Sequence, residues 1–200
     1  MKIIFGSGNQ GKINMVKDFF KENNVDIEVL SLKDIKFEGT IVEDGTTFEE
    51  NSMIKAKAIK KYCNEQGIKE IVVTDDAGLC VDALNGAPGV YSARYAGDHA
   101  PQEVTLNKLL DEMKDVPEEK RTATFVCVLT AILPNEKIIV VKGETKGKIA
   151  TKLGPMGNLT YQPIFMPDGF GGRVMNELTP KELGATHREK ALKELLKEII

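Results

Sequence analysis

The 200-residue sequence lacks any apolar run long enough to cross a membrane, and it has little excess charge of either sign. Its formal net charge is −3, which gives no electrostatic reason to expect a duplex nucleic acid or an anionic membrane as a partner. Internal repeats, low-complexity tracts and linkers are missing as well. With 42% hydrophobic and 28% charged residues, the chain is predicted to form one domain over residues 1–200.

Cysteine and histidine are scarce. The three cysteines, Cys63, Cys80 and Cys127, are widely spaced and form no Cys-x-x-Cys pair, and the chain has two histidines in all. This pattern excludes the usual zinc sets and a disulfide framework. We therefore expect a reduced, cytoplasmic protein whose cysteines pack as small hydrophobic side chains.

The most informative stretch is residues 71–97. Ile71 to Val73 is predicted to be a buried strand, and ligands of open α/β sheets gather at the carboxyl ends of strands, where Asp75 and Asp76 lie. Adjacent strand residues point to opposite faces, so we predict that the strand ends before Asp76 and lets both carboxylates reach one metal ion. The alternative is that both aspartates only form a turn. The glycine-rich continuation, including Ser92 to Tyr95, is typical of a cleft or an interface.

A glycine-rich turn at residues 6–12 follows a predicted strand at 2–5 and precedes a predicted helix at 13–23. The order strand, turn and helix collects backbone N–H groups around one point, and Lys12 adds a charge, so the turn is predicted to bind phosphate. Gly6 to Lys12 has the spacing of a P-loop, but Ile13 stands where that motif needs a hydroxyl for magnesium. A tight turn without a ligand is the simpler alternative.

A second helix is predicted to begin at Thr47, with Glu50 completing a capping box, and to run through residue 61. Asn51 and Lys55 lie one turn apart on one face, and Glu43 just before the helix could join Asp75 and Asp76 around a hard cation. A stripe of three residues is predicted to be buried: Ile54, Ala58 and Tyr62. Three lysines are predicted to be solvated: Lys57, Lys60 and Lys61.

The rest of the chain is predicted to complete a mixed sheet with helices. A helix at 101–113 is followed by a hairpin of strands at 123–133 and 137–142, with extended chain to 151. Residues 154–172 are too rich in glycine and proline for a regular element and are predicted to form a binding loop. The last helix begins at Thr186, and Arg188 in its first turn opposes the helix dipole, which favours a functional role for His187 and Arg188.

These segments together resemble the inosine triphosphate pyrophosphatase family, which hydrolyses non-standard purine nucleoside triphosphates to the monophosphate and pyrophosphate. The resemblance covers essentially the whole chain, and its landmarks are SGNQGK at 7–12, EDGTTFEENSMIKA at 43–56, TDDAGLCVDALNGAPGVYSARYAG at 74–97, PIFMPDG at 163–169 and THR at 186–188. It implies an elongated mixed α/β fold with two lobes around a central nucleotide cleft, a homodimer, and a requirement for Mg²⁺.

The resemblance also implies roles for individual residues. Asp76 would be the catalytic base, with Lys12 and Lys55 as catalytic phosphate contacts. Glu43, Asp75 and Asp76 would surround the metal and the attacking water. The implied substrate contacts are Ser7, Gly8, Asn9, Gln10, Gly11, Lys12, Asn51, Lys55, Ala77, Leu159, Thr160, Tyr161, Gln162, His187 and Arg188.

Three departures from the family pattern concern nucleotide recognition. Leu159-Thr160-Tyr161-Gln162 stands where Phe-Gly-Tyr-Asp is usual, Ala77 replaces a serine, and a substrate lysine is missing unless Lys181 replaces it. We therefore expect an active pyrophosphohydrolase with altered base preference. The alternatives are a nucleotide-binding module that has lost catalysis and a Maf-like pyrophosphatase with a different base preference.

Overall fold

The computed structural model describes residues 1–157 and 159–200. The strands are β1 Lys2–Phe5, β2 Glu28–Leu30, β3 Ile71–Val81, β4 Thr122–Ile132, β5 Ile138–Ile149 and β6 Phe165–Pro167. The helices are α1 Gln10–Glu22, α2 Phe48–Glu65, α3 Gln102–Glu112, α4 Pro180–Leu183 and α5 His187–Ile199. Within these described ranges, no helix has the length and apolar character needed to span a membrane.

The strands form one six-stranded mixed sheet in the order β2-β1-β3-β4-β5-β6. β1 pairs in parallel with β2 on one side and with β3 on the other, where Ile4 lies opposite Val72. β6 pairs antiparallel with β5, with Lys148 opposite Met166. The mixed sheet with flanking helices confirms the predicted fold class. The β-branched residues of β1 and β3 favour central strands that are covered on both faces.

The chain divides into two compact units. Unit 1 comprises Met1–Asp76, Cys127–Gly143 and Glu189–Ile200, and unit 2 comprises Ala77–Val126 and Glu144–Arg188. A cluster in unit 1 consists of Ile4, Ile35, Ile59, Cys63 and Val72. A larger cluster in unit 2 includes Leu79, Leu106, Leu109, Phe125, Ile149, Ile164 and Phe165. The single domain expected over residues 1–200 stays a prediction.

The first helix begins at Gln10 rather than at the predicted residue 13. Asn9 is the N-cap, and its side chain accepts a hydrogen bond from the Lys12 backbone N–H at 3.2 Å. This contact satisfies one of the otherwise unpaired N–H groups of the first turn, so the helix extends into the glycine-rich sequence. The sequence predicted to bind phosphate is therefore partly the first turn of α1.

The second helix has the predicted capping box between Thr47 and Glu50, but the prediction of its buried face was wrong. Ile54, Ala58 and Tyr62 are only half-buried. The fully buried positions are Phe48, Asn51, Ser52, Ala56, Ile59, Lys60 and Cys63. Phe48, Ala56, Ile59 and Cys63 recur at helical spacing on this face, so the sequence of α2 contains a second apolar stripe beside the predicted one. Asn51 and Ser52 lie next to it, with hydrogen-bond partners at Gly45 and Thr74.

Lys60 was also predicted wrongly as a solvated residue. Its exposed fraction is 3%, and its ammonium lies 3.6 Å from a carboxylate oxygen of Glu136. A buried lysine normally requires such a partner. Glu136 is distant in sequence, so the pair could not be found from the spacing within α2.

The second half of the chain follows the prediction with shifted boundaries. β4 and β5 are neighbours joined by a short connection, as expected of a hairpin, and β5 continues without a break to Ile149. The segment 154–172 contains the short strand β6, because Phe165 is fully buried and pairs with β5. The short helix α4 was not predicted.

Replacing Thr130 with valine is expected to stabilise the protein. Thr130 on β4 is fully buried, and within residues 1–157 and 159–200 its hydroxyl has no hydrogen-bond partner. Removing a buried unpaired hydroxyl at nearly constant volume should raise the free energy of unfolding by about 1 kcal/mol in urea denaturation. The control Thr130→Ser keeps the hydroxyl and removes the methyl group, so it should be less stable than the wild type; a valine variant of lower stability would contradict the expectation.

Candidate functional site

Strand β3 carries both aspartates and continues through them to Val81. The prediction that the strand ends before Asp76 was therefore wrong. Hydrogen bonding of the sheet does not stop where the acidic residues begin, because the following apolar residues Leu79 and Val81 are themselves buried in the core. Adjacent strand residues point to opposite faces, so Asp75 and Asp76 have different neighbours.

Asp75 faces the glycine-rich segment and α1. Its carboxylate lies 3.0 Å from the ammonium of Lys12, and its exposed fraction is 1%. Lys12 stands in the first turn of α1, after a loop in which the Asn9 N–H donates to the Ser7 hydroxyl at 3.2 Å. The loop residues Gly8 to Gly11 are exposed. A helix N-terminus, exposed N–H groups and a lysine together form a site suited to an anion.

Gly6 begins this loop at a point where a larger side chain has no room. A Cβ at Gly6 would lie 2.5 Å from Ile59 Cδ1 and 2.7 Å from Thr74 Cγ2. The close approach sets where β1 ends against α2 and β3. Ile13, which replaces the P-loop hydroxyl, is 3% exposed and packs in the core, so the loop lacks the metal ligand of a P-loop.

Asp76 faces the N-terminal turns of α2. The ammonium of Lys55 lies 2.6 Å from a Glu43 carboxylate oxygen and 3.8 Å from Asp76 Oδ1. Asn51, one turn earlier on α2, is close enough to Asp76 to lower the pKa of its carboxyl group. The structure therefore brings Glu43, Asn51, Lys55 and Asp76 together, as the shared helix face of Asn51 and Lys55 predicts.

The pKa of Asp76 is raised above the usual value of an aspartate, chiefly by burial. Lys55 and Asn51 oppose this rise, whereas the charges of Glu43 and Asp75 add to it. In the described part of the chain, Asp76 Oδ2 is a buried atom without a hydrogen-bond partner. A carboxylate with a raised pKa and an unpartnered oxygen is suited to act as a proton acceptor.

Asn51 is a buried residue that contacts the other parts of this group. It is 2% exposed, and its Oδ1 accepts a hydrogen bond from the Gly45 N–H at 2.9 Å. A Cβ at Gly45 would lie 2.7 Å from that oxygen, so the loop that carries Glu43 can approach Asn51 only with glycine at position 45. The predicted substrate contact Asn51 thus joins the Glu43 loop to Asp76.

The carboxylates suit a hard cation, but the described residues contain no preformed group of three or more histidine, cysteine, aspartate or glutamate side chains that could hold a metal. Glu43 and Asp76 share one lysine, and Asp75 pairs with another. Mg²⁺ is commonly held by one or two carboxylates with water and substrate phosphates. The Oδ2 of Asp76, which has no partner among the described residues, and the oxygen donor set therefore fit a magnesium ion that arrives with its nucleotide.

The predicted base-recognition residues 159–162 lie in unit 2 and are held from two directions. The Tyr161 hydroxyl donates to the Ser92 carbonyl at 2.7 Å, and Tyr161 is 5% exposed. Gln102 in the first turn of α3 donates its amide to the carbonyls of Leu159 and Thr160 at 3.0 and 3.2 Å. The backbone of this segment is therefore fixed, while the side chain of Leu159 is 55% exposed.

Ser92 is a structural residue rather than part of an open surface, which corrects part of the expectation for residues 92–95. It is 7% exposed, its hydroxyl donates to the Gly89 carbonyl at 2.6 Å, and it accepts from the Leu79 N–H at 2.9 Å. Neither Gln102 nor this role of Ser92 was predicted from the sequence. The sequence contains only weak signals for these roles, namely a serine within a glycine-rich segment and a glutamine directly after Pro101.

His187 and Arg188 form the beginning of α5, and both are half-buried. The His187 ring stacks on Phe125 with centroids 5.0 Å apart and an interplanar angle of 10°. Phe125 in turn packs against Phe165 at 4.6 Å, so the imidazole has a rigid support. Ala77 is half-buried on β3, and Lys181 is exposed on α4.

The chain is similar to known proteins over nearly its whole length. The family model described as the Ham1 family matches residues 3–198. A dITP/XTP pyrophosphatase of Clostridium perfringens is 40% identical over 196 residues, which cover 97% of this chain and 95% of the relative.

Two solved structures have the same fold. The Ham1 protein of Staphylococcus aureus has a TM-score of 0.86 at 34% identity, and the comparison covers 100% of this chain and 98% of that one. A HAM1 protein of Coxiella burnetii has a TM-score of 0.85 at 30% identity, with the same coverage of both chains. These matches confirm the resemblance seen in the sequence, and the chain belongs to the Ham1 family.

Proposed function

We propose that this protein hydrolyses non-standard purine nucleoside triphosphates, with dITP, ITP and XTP as substrates, to the monophosphate and pyrophosphate in a magnesium-dependent reaction. Relatives of the chain are named dITP/XTP pyrophosphatases, and the protein is accordingly a nucleoside triphosphate pyrophosphohydrolase. The observation that carries the mechanism is the half-buried Asp76 carboxylate, whose Oδ2 has no hydrogen-bond partner among the described residues and whose Oδ1 lies 3.8 Å from the Lys55 ammonium.

The charges of unit 1 support binding of a triphosphate with a cation. In the described part of the chain, three carboxylates, those of Glu43, Asp75 and Asp76, lie near the ammonium groups of Lys12 and Lys55. The carboxylates would repel a triphosphate that binds alone, whereas a bound Mg²⁺ would offset this repulsion. When bound by Glu43 and Asp76, the metal would neutralise charge that develops on the phosphate oxygens.

The residues of this chain then have separate tasks. Ser7 to Lys12 bind the phosphates with backbone N–H groups and one ammonium. Lys55 stabilises negative charge as water attacks the α-phosphorus. Asp76 orients that water and accepts its proton, while Asn51 lies beside the carboxylate. Asp75 holds Lys12 in place at the phosphates.

Base recognition is proposed for the residues of unit 2. Arg188 has only hydrogen-bond donors, so it favours a 6-oxo purine over adenine, whose 6-amino group cannot accept. Gln162 is half-buried and carries an amide that both donates and accepts. The aspartate usual in the family at that position only accepts, so we propose a weaker discrimination among bases. The expected homodimer and cytoplasmic location stay predictions.

Pyrophosphate release from ITP, XTP, dITP, ATP and GTP tests this proposal. With Mg²⁺ we expect pyrophosphate from the 6-oxo purines, and no turnover after chelation of the metal, because the charge at the site is then uncompensated. The Clostridium perfringens relative, assayed side by side, is the control for selectivity. A ratio of ITP to ATP or GTP turnover as high as that of the relative would contradict the altered preference.

Other outcomes would identify the alternatives. Orthophosphate as the first product would indicate cleavage at the γ position, as in a P-loop NTPase. Binding of ITP without turnover would indicate a nucleotide-binding module. A preference for modified pyrimidines would indicate a Maf-like enzyme.

A further inference from the structure

One face of β3 places Val72, Thr74 and Asp76 in a row toward α2, because alternate residues of a strand share a face. Val72 packs with Ile59 and Cys63 of α2 in the hydrophobic cluster of unit 1. Asp76 contacts the first turns of α2 through Asn51 and Lys55. Thr74 lies between the hydrophobic and the catalytic part of this contact.

Thr74 and Ser52 are joined by reciprocal hydrogen bonds. The Thr74 hydroxyl donates to the Ser52 carbonyl at 2.7 Å, and the Ser52 hydroxyl donates to the Thr74 carbonyl at 3.2 Å. The two hydroxyl oxygens are themselves 3.2 Å apart. Both residues are fully buried, so water cannot replace these bonds without opening the contact between helix and strand.

This pair is adjacent in sequence to the residues proposed for catalysis. Ser52 follows Asn51, which lies beside Asp76, and Thr74 precedes Asp75, which pairs with Lys12. The Thr74 methyl group is also close to Gly6, because a Cβ added to Gly6 would lie 2.7 Å from Thr74 Cγ2. Thr74 therefore contacts the beginning of the phosphate loop with its methyl group and α2 with its hydroxyl.

We propose that the Ser52–Thr74 pair is a positioning device that sets the register of α2 against β3 and so holds Asn51 and Lys55 at Asp76. The catalytic part of this inference rests on the proposed function. Apolar packing between Val72, Ile59 and Cys63 is non-directional and permits small sliding of the helix. Directional bonds at Thr74 restrict that sliding next to Asp76, where small displacements are costly for catalysis.

The chain offers a matched pair of substitutions that separates the two roles of Thr74. Thr74→Val keeps the methyl group toward Gly6 and replaces the hydroxyl with a carbon that cannot donate to the Ser52 carbonyl. Thr74→Ser keeps the hydroxyl and removes the methyl group. Positioning through the hydrogen bond predicts that kcat for ITP falls about tenfold in Thr74→Val, with KM changed less than twofold, and stays near the wild-type value in Thr74→Ser.

Stability should follow the opposite order. Thr74→Ser loses packing at Gly6 and should have the lower Tm of the two, although it has the higher kcat. Ser52→Ala should reduce kcat as Thr74→Val does, and the double variant should lose little more than either single variant, because both remove one shared unit. Equal kcat in Thr74→Val and Thr74→Ser, or independent losses that multiply in the double variant, would overturn the proposal.

Hydrogen exchange of the α2 amides tests the same inference without any substrate. Faster exchange in the first turns of α2, relative to the rest of unit 1, is expected in Thr74→Val and Ser52→Ala but not in Thr74→Ser. Unchanged exchange in all three variants would overturn the positioning role. Absence of pyrophosphate release by the wild type would contradict the proposed function, whereas this exchange pattern would still decide whether the pair docks α2.

Discussion

Asp76→Asn should abolish turnover and leave the protein at least as stable as the wild type. Asparagine has nearly the same shape and can keep the contact with Asn51, but its amide cannot accept the proton of the attacking water. We expect kcat for ITP to fall by about 10³-fold, a typical contribution of a general base. Steady-state pyrophosphate release measures this loss, and Asp18→Asn on the exposed surface of α1 is the control.

The stability part of this prediction follows from the pKa of Asp76, which burial raises in the folded protein. A raised pKa means that the folded state binds the proton more tightly than the unfolded state. The contribution of Asp76 to stability is therefore largest at low pH and is lost as the pH rises above the usual pKa of an aspartate. At neutral pH the ionised carboxylate destabilises the fold, and asparagine removes that cost.

Urea denaturation between pH 4 and 8 should show this difference directly, by comparison of Asp76→Asn with the wild type and with Asp18→Asn. The stability advantage of Asp76→Asn should increase with pH over the lower part of that range. A variant with near-normal kcat would remove Asp76 from the role of base. A variant that is inactive and clearly less stable would indicate that Asp76 acts in the fold rather than in the chemistry.

Lys55→Met should be the second most damaging substitution. The ammonium lies 2.6 Å from Glu43 and 3.8 Å from Asp76, and its loss leaves two neighbouring carboxylates without their shared cation. Loss of one preorganised charge at the phosphates is expected to lower kcat/KM for ITP by about 10²-fold. Methionine preserves most of the length and apolar stem of lysine, so packing is largely retained.

Lys57→Met is the matched control for this substitution, because Lys57 stands two residues further along α2 and is exposed. Its kcat/KM should remain within twofold of the wild type. The measurement is initial-rate kinetics at saturating Mg²⁺, so that metal affinity does not limit the rate. If Lys55→Met loses no more activity than Lys57→Met, the ammonium has no part in the reaction and serves only as the partner of Glu43.

Residues 159–162 and the residues around Asp76 are held in place in different ways. The backbone at residues 159–161 is held by Gln102 and Ser92, which leaves the side chains of Leu159 and Gln162 free to vary without loss of the loop. At Asp76, by contrast, the neighbouring side chains have further contacts, such as that of Asn51 with Gly45. If residues 159–162 contact the base as proposed, we expect base preference to change more readily than the proposed reaction.

Local sequence determined the elements whose signals are short in range. Thr47 and Glu50 formed the predicted capping box, because both partners lie within one helical turn. The β-branched run before Asp75 became a central strand, and the spacing of Asn51 and Lys55 put both side chains at Asp76. The family resemblance also came from the sequence alone, because five landmarks appear in order along one chain.

Only the tertiary structure decided which residues meet across distant segments. β3 continues through both aspartates because Leu79 and Val81 are buried beyond them, so Asp75 pairs with Lys12 and Asp76 with Lys55. α2 buries a different apolar stripe from the expected one, and it also buries Ser52 and Lys60, whose partners, Thr74 and Glu136, lie elsewhere in the chain. Helical periodicity records how apolar a face is, but a buried polar side chain is stable only with a partner, and that partner is known only once the chain is folded.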